Sequence, residues 1–248
     1  MLFRSLLMSF TLAVAGAIQA AVPETPEEFV RVFQSGSQLE QEKAAQALEW
    51  AGLSSPQLFD LVEADLLKVL PQAKDKVAIN YVAHLTKALG YSGNEKYRAT
   101  LEKIIAEAPN SKLKKYAKLS LPKLNEHARL NPLIAPQAWP TAEHPSLNQR
   151  LANMLKSDDT ELIRIAAKRM HYTLSYPPEL MALLNTTIEQ NYLQPLDGER
   201  LDAIAWACRA LAGSRTPEYK ATIEKVAASA TTRGLRSYAK KYLRYYGK

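Results

Sequence analysis

The sequence contains one cysteine, Cys208, among 248 residues, together with 9 glycines and 4 histidines. A single thiol cannot form an internal disulfide, and a chain of this length can bury a core without one. The sequence has no glycine-rich phosphate-binding loop, and its histidines lack the spacing of metal ligands. These absences argue against nucleotide-binding and zinc-site classes, so we expect no cofactor and no bound metal.

Catalytic motifs are equally scarce. Ser111 with Lys114, and Ser237 with Lys240, have the Ser-x-x-Lys spacing of penicillin-binding enzymes, but no Lys-Thr-Gly segment follows either pair. Cys208 falls on the apolar side of a predicted helix, which favours a buried structural thiol. We therefore predict no catalytic residue.

The first twenty residues have the pattern of a secretory signal. A short positive start is followed by a mostly apolar run over residues 6–18 and by the small residue Ala20. The run is shorter than the ~20 apolar residues of a membrane-spanning helix, which argues against the alternative of an N-terminal anchor. We expect cleavage after Ala20, a periplasmic or secreted location, and no transmembrane segment in the mature chain.

An internal duplication becomes visible when the chain is aligned with itself at an offset of 122 residues. No gap is needed, and upstream pairs such as Asp75 with Asp197 keep the same register. The clearest pairs are Ala88/Ala210, Leu89/Leu211, Tyr97/Tyr219, Ala99/Ala221, Thr100/Thr222, Glu102/Glu224, Lys103/Lys225, Leu113/Leu235, Tyr116/Tyr238, Ala117/Ala239 and Lys118/Lys240. The chain is therefore predicted to be a tandem repeat of two similar halves.

Within each half the apolar residues recur at helical spacing. Leu113, Tyr116, Ala117 and Leu121 form one such stripe, and comparable units return about every 35 to 40 residues. Stacked helical hairpins of this period bury a face that one hairpin alone cannot bury. The predicted fold class is all-α, an α-α superhelix of the solenoid type.

The second half resembles HEAT-like and armadillo-like helical repeats. The resemblance lies in an Asp, apolar, Ala-x-x-Ala-Leu, Pro, apolar progression. Its residues are Asp197, Leu201, Ala205, Ala207, Ala210, Leu211, Pro217, Thr222, Ile223 and Val226, with Asp158, Asp159, Leu162, Arg164, Ala166 and Ala167 resembling the start of another unit. The resemblance implies a HEAT-like solenoid, and such folds often act as binding scaffolds.

The predicted domains are a signal peptide (1–20), a first helical half (21–121), a proline-rich connector (122–144) and a second helical half (145–248). Five prolines lie between residues 122 and 145, namely Pro122, Pro132, Pro136, Pro140 and Pro145. Because proline removes a backbone donor and restricts the preceding residue, we expect extended chain there, with Trp139 packed on the helices.

Charge is distributed unevenly along the chain. Residues 24–66 carry nine acidic side chains against Arg31 and Lys43, whereas residues 209–248 carry ten Lys and Arg against Glu218 and Glu224. Basic residues also recur at equivalent positions of the two halves. They define a candidate binding surface of Lys114, Lys118, Arg236, Lys240, Lys241 and Arg244, for which a merely solvated helix face is the alternative. Tyr238, Tyr242 and Tyr246 are predicted to be a packed stripe of the last helix.

The function predicted from these features is a non-catalytic, periplasmic protein-interaction scaffold or adaptor of the cell envelope. The expected partner is a protein, an anionic envelope component is an alternative, and nucleic acid is not expected. Two other functions remain open: an envelope enzyme with an unrecognised carboxylate site, and an inhibitor or immunity-type protein.

Overall fold

The computed structural model describes residues 22–136 and 143–247. The predicted signal peptide and Trp139 lie outside this range. Within it the chain forms twelve α-helices and no strand. They are α1 (Pro26–Ser35), α2 (Gln38–Ala47), α3 (Pro56–Val69), α4 (Lys76–Tyr91), α5 (Arg98–Glu107), α6 (Ser111–Ile134), α7 (Leu147–Lys156), α8 (Thr160–Thr173), α9 (Pro178–Asn191), α10 (Gly198–Gly213), α11 (Lys220–Ser229) and α12 (Arg233–Tyr242). The all-α prediction is confirmed.

The two halves repeat helix by helix. The bounds of α3, α4 and α5 return, displaced by 122 residues, as those of α9, α10 and α11. For α4 and α10 the start repeats because the capping aspartate repeats: the Asp75 carboxylate accepts from Val77 N at 2.8 Å, and the Asp197 carboxylate accepts from Arg200 N at 2.7 Å. Two similar halves therefore make up the solenoid, as the offset predicts.

The helices form two layers. In one layer α4 packs between α2 and α6, and α10 packs between α8 and α12; we call it the even layer. In the other, the odd layer, α3 packs against α1 and α9 against α7. Thr100 of α5 donates to Glu63 of α3, and Thr222 of α11 donates to Asn185 of α9 at 2.7 Å. The two hydrogen bonds join residues that correspond at the offset of 122.

The predicted proline-rich connector is helical over residues 122–134, where the sequence predicted extended chain. Helix α6 continues through Pro122 and Pro132 to Ile134. Both prolines lie on the exposed side of the helix, so the carbonyls they leave without a helical partner face water. On the opposite side, buried residues at helical spacing hold the segment against the core. They are Leu124, His127, Leu130, Asn131 and Ile134.

Two hydrophobic clusters, one in each half, make up the core. Leu130 and Ile134 of α6 belong to the cluster of the second half, whereas Leu113 and Leu124 of the same helix belong to the first. Trp50, in the 3₁₀ turn after α2, packs against both clusters. Helix α6 and Trp50 thus join the halves through apolar contacts.

Candidate functional site

A cleft of about 560 Å³ lies at the C-terminal end of the even layer. Its walls come from the last turns of α10, from α12 and from the final 3₁₀ turn (Leu243–Gly247). The lining residues are Arg209, Arg215, Tyr238, Lys241, Tyr242, Arg244 and Tyr245. Four of these seven side chains are cationic, three are tyrosines, and none is acidic.

Three tyrosines form one side of the cleft as a stack. The ring centroids of Tyr238 and Tyr242 are 6.3 Å apart with an interplanar angle of 11°, and those of Tyr242 and Tyr245 are 6.3 Å apart at 14°. The third ring comes from Tyr245 because the chain changes from α-helix to 3₁₀ helix at Leu243. A 3₁₀ helix places the residues i and i+3 in line.

The sequence prediction of a packed stripe is confirmed for Tyr242 and Tyr246, which pack against the core of the second half, and is wrong for Tyr238. Tyr238 is 42% exposed, so it belongs to the surface of the cleft and not to the core. Tyr246 does not take part in the stack, and its hydroxyl is buried without a hydrogen-bond partner.

The four cations of the cleft form no ion pair in the part of the chain that the structure describes. Within residues 22–136 and 143–247, none of Arg209, Arg215, Lys241 and Arg244 has a carboxylate within ion-pair distance. The Arg209 guanidinium lies 4.7 Å from the centroid of the Trp206 ring, and its buried Nε has no hydrogen-bond partner. Arginine without a carboxylate in a partly enclosed site attracts anions.

An aromatic cluster of His171 and Trp206 contacts Tyr245, one of the residues that line the cleft. The His171 ring lies 5.9 Å from Trp206 and 6.5 Å from Tyr245. Burial lowers the pKa of His171, and the charge of Arg209 lowers it further, so the imidazole is neutral at pH 7. Burial also raises the pKa of Tyr242 to about 12, which keeps its hydroxyl protonated. The positive charge of the site thus comes from its Lys and Arg side chains.

The structure separates the predicted surface residues into three groups. Lys241 and Arg244 line the cleft, whereas Lys118 and Lys240 are exposed outside it. Lys114 Nζ donates to Ala106 O at 2.9 Å, and Arg236 Nη1 donates to Ala230 O and Thr231 O. These last two cations therefore satisfy carbonyls at the ends of α5 and α11, a structural role.

Sequence reasoning missed Arg209 and Arg215 as members of the site. A usable signal was present for Arg209, because the offset of 122 pairs it with Lys87 and pairs Tyr238 with Tyr116. Each half therefore carries a cation and a tyrosine at equivalent positions of the even layer. Arg215 follows α10 in a left-handed conformation with φ 59°, and its place in the cleft depends on that loop.

A second cavity, of about 680 Å³, lies between the halves, and its lining holds six carboxylates against three cations. Its ion pairs are Lys123–Glu126, Lys123–Glu161, Arg129–Asp159 and Arg164–Glu161. Because carboxylates outnumber cations along its lining, this cavity does not attract an anion as the cleft does.

Glu49 is a half-buried carboxyl beside this network. Burial raises its pKa, Arg164 opposes the shift, and Glu161 adds to it. A carboxyl with a raised folded-state pKa favours folding below its unfolded pKa, and this contribution is lost as the pH rises through the folded value. At pH 7 the folded protein therefore bears the cost of a partly desolvated charge.

Glu49→Gln, which imitates the protonated carboxyl, is expected to raise Tm at pH 7. The gain should disappear at pH 4, where wild-type Glu49 is itself protonated. Thermal melts at both pH values measure the difference, and a lower Tm for the variant at pH 7 would contradict the assignment.

Two further kinds of site are absent from the described residues. No helix there is both long enough and apolar enough to span a bilayer. No group of three or more His, Cys, Asp or Glu side chains in the same ranges is arranged to hold a metal ion. Cys208 is buried, as predicted, and burial raises the pKa of its thiol to about 12.

Comparisons with known proteins give one structural match. No family model matches the chain, and no curated protein is similar to it in sequence. The chain is similar to a solved structure titled as human deoxyhypusine hydroxylase in complex with glycerol. The match has 15% identity and a TM-score of 0.32, and it covers 88% of this chain and 83% of the other.

This match corrects the functional prediction. The prediction of a non-catalytic scaffold took a helical-repeat fold as a sign of scaffolding, whereas the chain matched in structure is named as a hydroxylase. The scaffold prediction and the prediction that the chain is not an enzyme are therefore withdrawn, together with the envelope-enzyme and inhibitor alternatives. At this identity and TM-score the match transfers no activity to the present chain.

Proposed function

We propose that the protein binds an anionic ligand in the C-terminal cleft. The observation that carries this proposal is the set of four unpaired cations, Arg209, Arg215, Lys241 and Arg244, around one cleft of about 560 Å³. An anionic group in the cleft would pair with these cations. It would accept charge-assisted hydrogen bonds from their guanidinium and ammonium groups.

The stack of tyrosines adds a second element of recognition. Tyr238 is exposed, while Tyr242 and Tyr245 are half-buried, so the stack gives the cleft a rigid, apolar wall beside its cations. Rigid aromatic side chains lose little conformational entropy when they contact a ligand. The cleft therefore suits a ligand with both a charged group and a ring or other flat surface.

The Arg209→Gln, Lys241→Gln double variant tests the proposal, with tripolyphosphate as the probe. We expect the Kd of the double variant for tripolyphosphate, measured by isothermal titration calorimetry, to be at least about tenfold higher than that of the wild type. Each lost charged hydrogen bond is worth about 1.5–3 kcal/mol. Wild-type binding should also weaken as salt increases, since the screening length falls from about 8 Å at ~0.15 M to about 3 Å at 1 M.

Lys240→Gln is the matched control. Lys240 is the exposed neighbour of Lys241 but does not line the cleft, so removing its charge changes the net charge without changing the site. Equal tripolyphosphate affinity in the double variant and the control would overturn the proposal. Unchanged circular dichroism and Tm would show that the double variant is folded.

We also propose that the repeats are of the HEAT or armadillo type and that the protein is exported to the periplasm or secreted. The repeat type is supported by the aspartate caps before α4 and α10 and by the Ala-x-x-Ala-Leu pattern within α10. Export is supported by the apolar run at residues 6–18 and by Ala20. N-terminal sequencing of the mature protein tests the export, with Ala21 as the expected first residue.

A further inference from the structure

Two large apolar side chains at the end of α8 are exposed. Leu174 is 73% exposed and Tyr172 is 68% exposed, the two highest values for large apolar side chains among the described residues. Leu174 also has a left-handed backbone, with φ 52°. This conformation crowds the Cβ of leucine, and glycine usually provides it at a helix end. A strained leucine that stays exposed favours a contact outside the chain. We call Tyr172 and Leu174 the apolar tip.

Ring contacts connect the apolar tip to the cleft. The centroids of the Tyr172 and Trp206 rings are 5.6 Å apart. The guanidinium of Arg209, which lines the cleft, lies 4.7 Å from the centroid of the same Trp206 ring. Tyr172 is therefore separated from the cleft by one indole ring.

The loop after α8 also lies against the loop after α10. A Cβ atom at Gly213 would come within 2.8 Å of the Tyr176 hydroxyl and 3.1 Å of His171 Nδ1. Leu174 lies two residues before Tyr176, and Arg215 of the cleft lies two residues after Gly213. The apolar tip and the cationic cleft are therefore at the same end of the even layer.

This end of the even layer is positively charged. Lys168 Nζ lies 5.0 Å from the centroid of Trp206, and the four cations of the cleft lie beyond that ring. Within residues 22–136 and 143–247, Lys168 forms no ion pair, as is also true of those four. Unpaired cations beside an exposed apolar pair favour a partner that offers anions and apolar groups together.

The arrangement of these groups favours a lipid bilayer over a protein partner. Protein interfaces have their apolar residues at the centre and their charged residues at the rim, whereas here the cations line the recess and the apolar side chains are exposed beside it. At a membrane surface a small apolar insertion is sufficient, because attraction of basic side chains to anionic lipids supplements it. Tyrosine and tryptophan rings are also enriched at the depth of the headgroups, which suits Trp206 and the tyrosine stack.

We infer that this end of the even layer docks on a membrane that contains anionic phospholipids, with a lipid headgroup in the cleft and the apolar tip inserted among the headgroups. This inference rests on the proposed anion binding in the cleft. It adds the source of the anion, which is the phosphate of a lipid in a bilayer, and it adds the apolar tip as a second contact.

Sedimentation with vesicles tests the inference. Wild-type protein is expected to bind vesicles of phosphatidylglycerol and phosphatidylcholine in equal parts at least about tenfold more tightly than vesicles of phosphatidylcholine alone, because each basic side chain near an anionic surface adds to the attraction. The Tyr172→Ala, Leu174→Ala variant should bind the mixed vesicles about tenfold more weakly than wild type, since binding strength scales with the buried apolar area. Its Kd for tripolyphosphate should stay at the wild-type value, because neither residue lines the cleft.

Leu39→Ala is the matched control for the apolar tip. Leu39 is 59% exposed and belongs to α2 of the first half, so its replacement removes exposed apolar area away from the cleft. We expect its affinity for the mixed vesicles to equal that of wild type. Equal vesicle affinity of the tip variant and this control would overturn the inference. Unchanged circular dichroism would show that both variants are folded.

The two probes separate this inference from the proposed function. If the Arg209→Gln, Lys241→Gln variant loses tripolyphosphate but wild-type protein does not bind the mixed vesicles, the membrane is wrong and the cleft stands as a site for a soluble anion. If that variant binds tripolyphosphate normally, the proposed function fails, and the headgroup site fails with it. Excess tripolyphosphate is expected to release wild-type protein from the mixed vesicles, because both anions occupy the cleft. Vesicle binding that tripolyphosphate does not reduce would contradict a headgroup in the cleft.

Discussion

Replacing Asn131 by leucine is expected to destabilise the protein by about 3 kcal/mol or more. Asn131 is buried in α6, and its Nδ2 lies within hydrogen-bond distance of four acceptors in two loops. They are Leu53 O at 3.0 Å, Ser54 Oγ at 2.9 Å, Tyr91 O at 3.0 Å and Ser92 O at 3.3 Å. Leucine fills a similar volume but removes the amide donor, so Leu53 O and Ser92 O lose buried hydrogen bonds that water cannot replace.

Urea denaturation followed by circular dichroism measures the loss. Asn125→Leu is the matched control, because Asn125 is an exposed residue of the same helix and its replacement should change stability by less than about 0.5 kcal/mol. Equal midpoints for the two variants would show that the Asn131 amide does not hold these loops. Asn131 Oδ1 also contacts His127 Nδ1 at 3.1 Å, so a local rearrangement around His127 should accompany the loss.

Replacing Trp50 by alanine is expected to destabilise the protein by about 3 kcal/mol and to reduce the cooperativity of unfolding. The Trp50 ring packs against the cores of both halves, and the Arg169 guanidinium lies 4.4 Å from its centroid. Removing the indole opens a void where the halves meet and removes the cation–π contact of Arg169. Each half keeps its own core, so the halves should then unfold separately.

Differential scanning calorimetry distinguishes this result from uniform destabilisation. We expect the Trp50→Ala transition to broaden or split, and we expect Trp50→Phe, which keeps an aromatic ring, to restore most of the cooperativity. A single sharp transition at lower temperature would contradict the role of Trp50 as a link. In that case α6, which also contributes to both cores, would couple the halves by itself.

Local sequence signals predicted the repeated part of the fold well. The offset of 122 residues anticipated the equal bounds of α3 and α9, of α4 and α10, and of α5 and α11. It did so because side-chain caps and apolar stripes act within a few residues of their own position. Asp75 and Asp197 start α4 and α10 for this reason, and their effect can be recognised without knowing the rest of the chain.

The same reasoning failed where local and tertiary preferences disagree. Pro122 and Pro132 predicted an extended connector, yet α6 passes through both because Leu124, His127, Leu130 and Ile134 are buried along its opposite side. The buried apolar face and the contacts of Asn131 outweigh the two hydrogen bonds that the prolines remove. The spacing of these buried residues was visible in the sequence, but their burial was not.

The sequence by itself determined the helices, their repetition and the excess of positive charge at the C-terminal end. Only the tertiary structure decided which of those charges form a site. Lys241 and Arg244 line the cleft beside Arg209, whereas Lys114 and Arg236 are used to satisfy the ends of neighbouring helices. The physical reason is that helical spacing fixes the direction of a side chain on its own helix, while the partner that it meets depends on how separate helices pack.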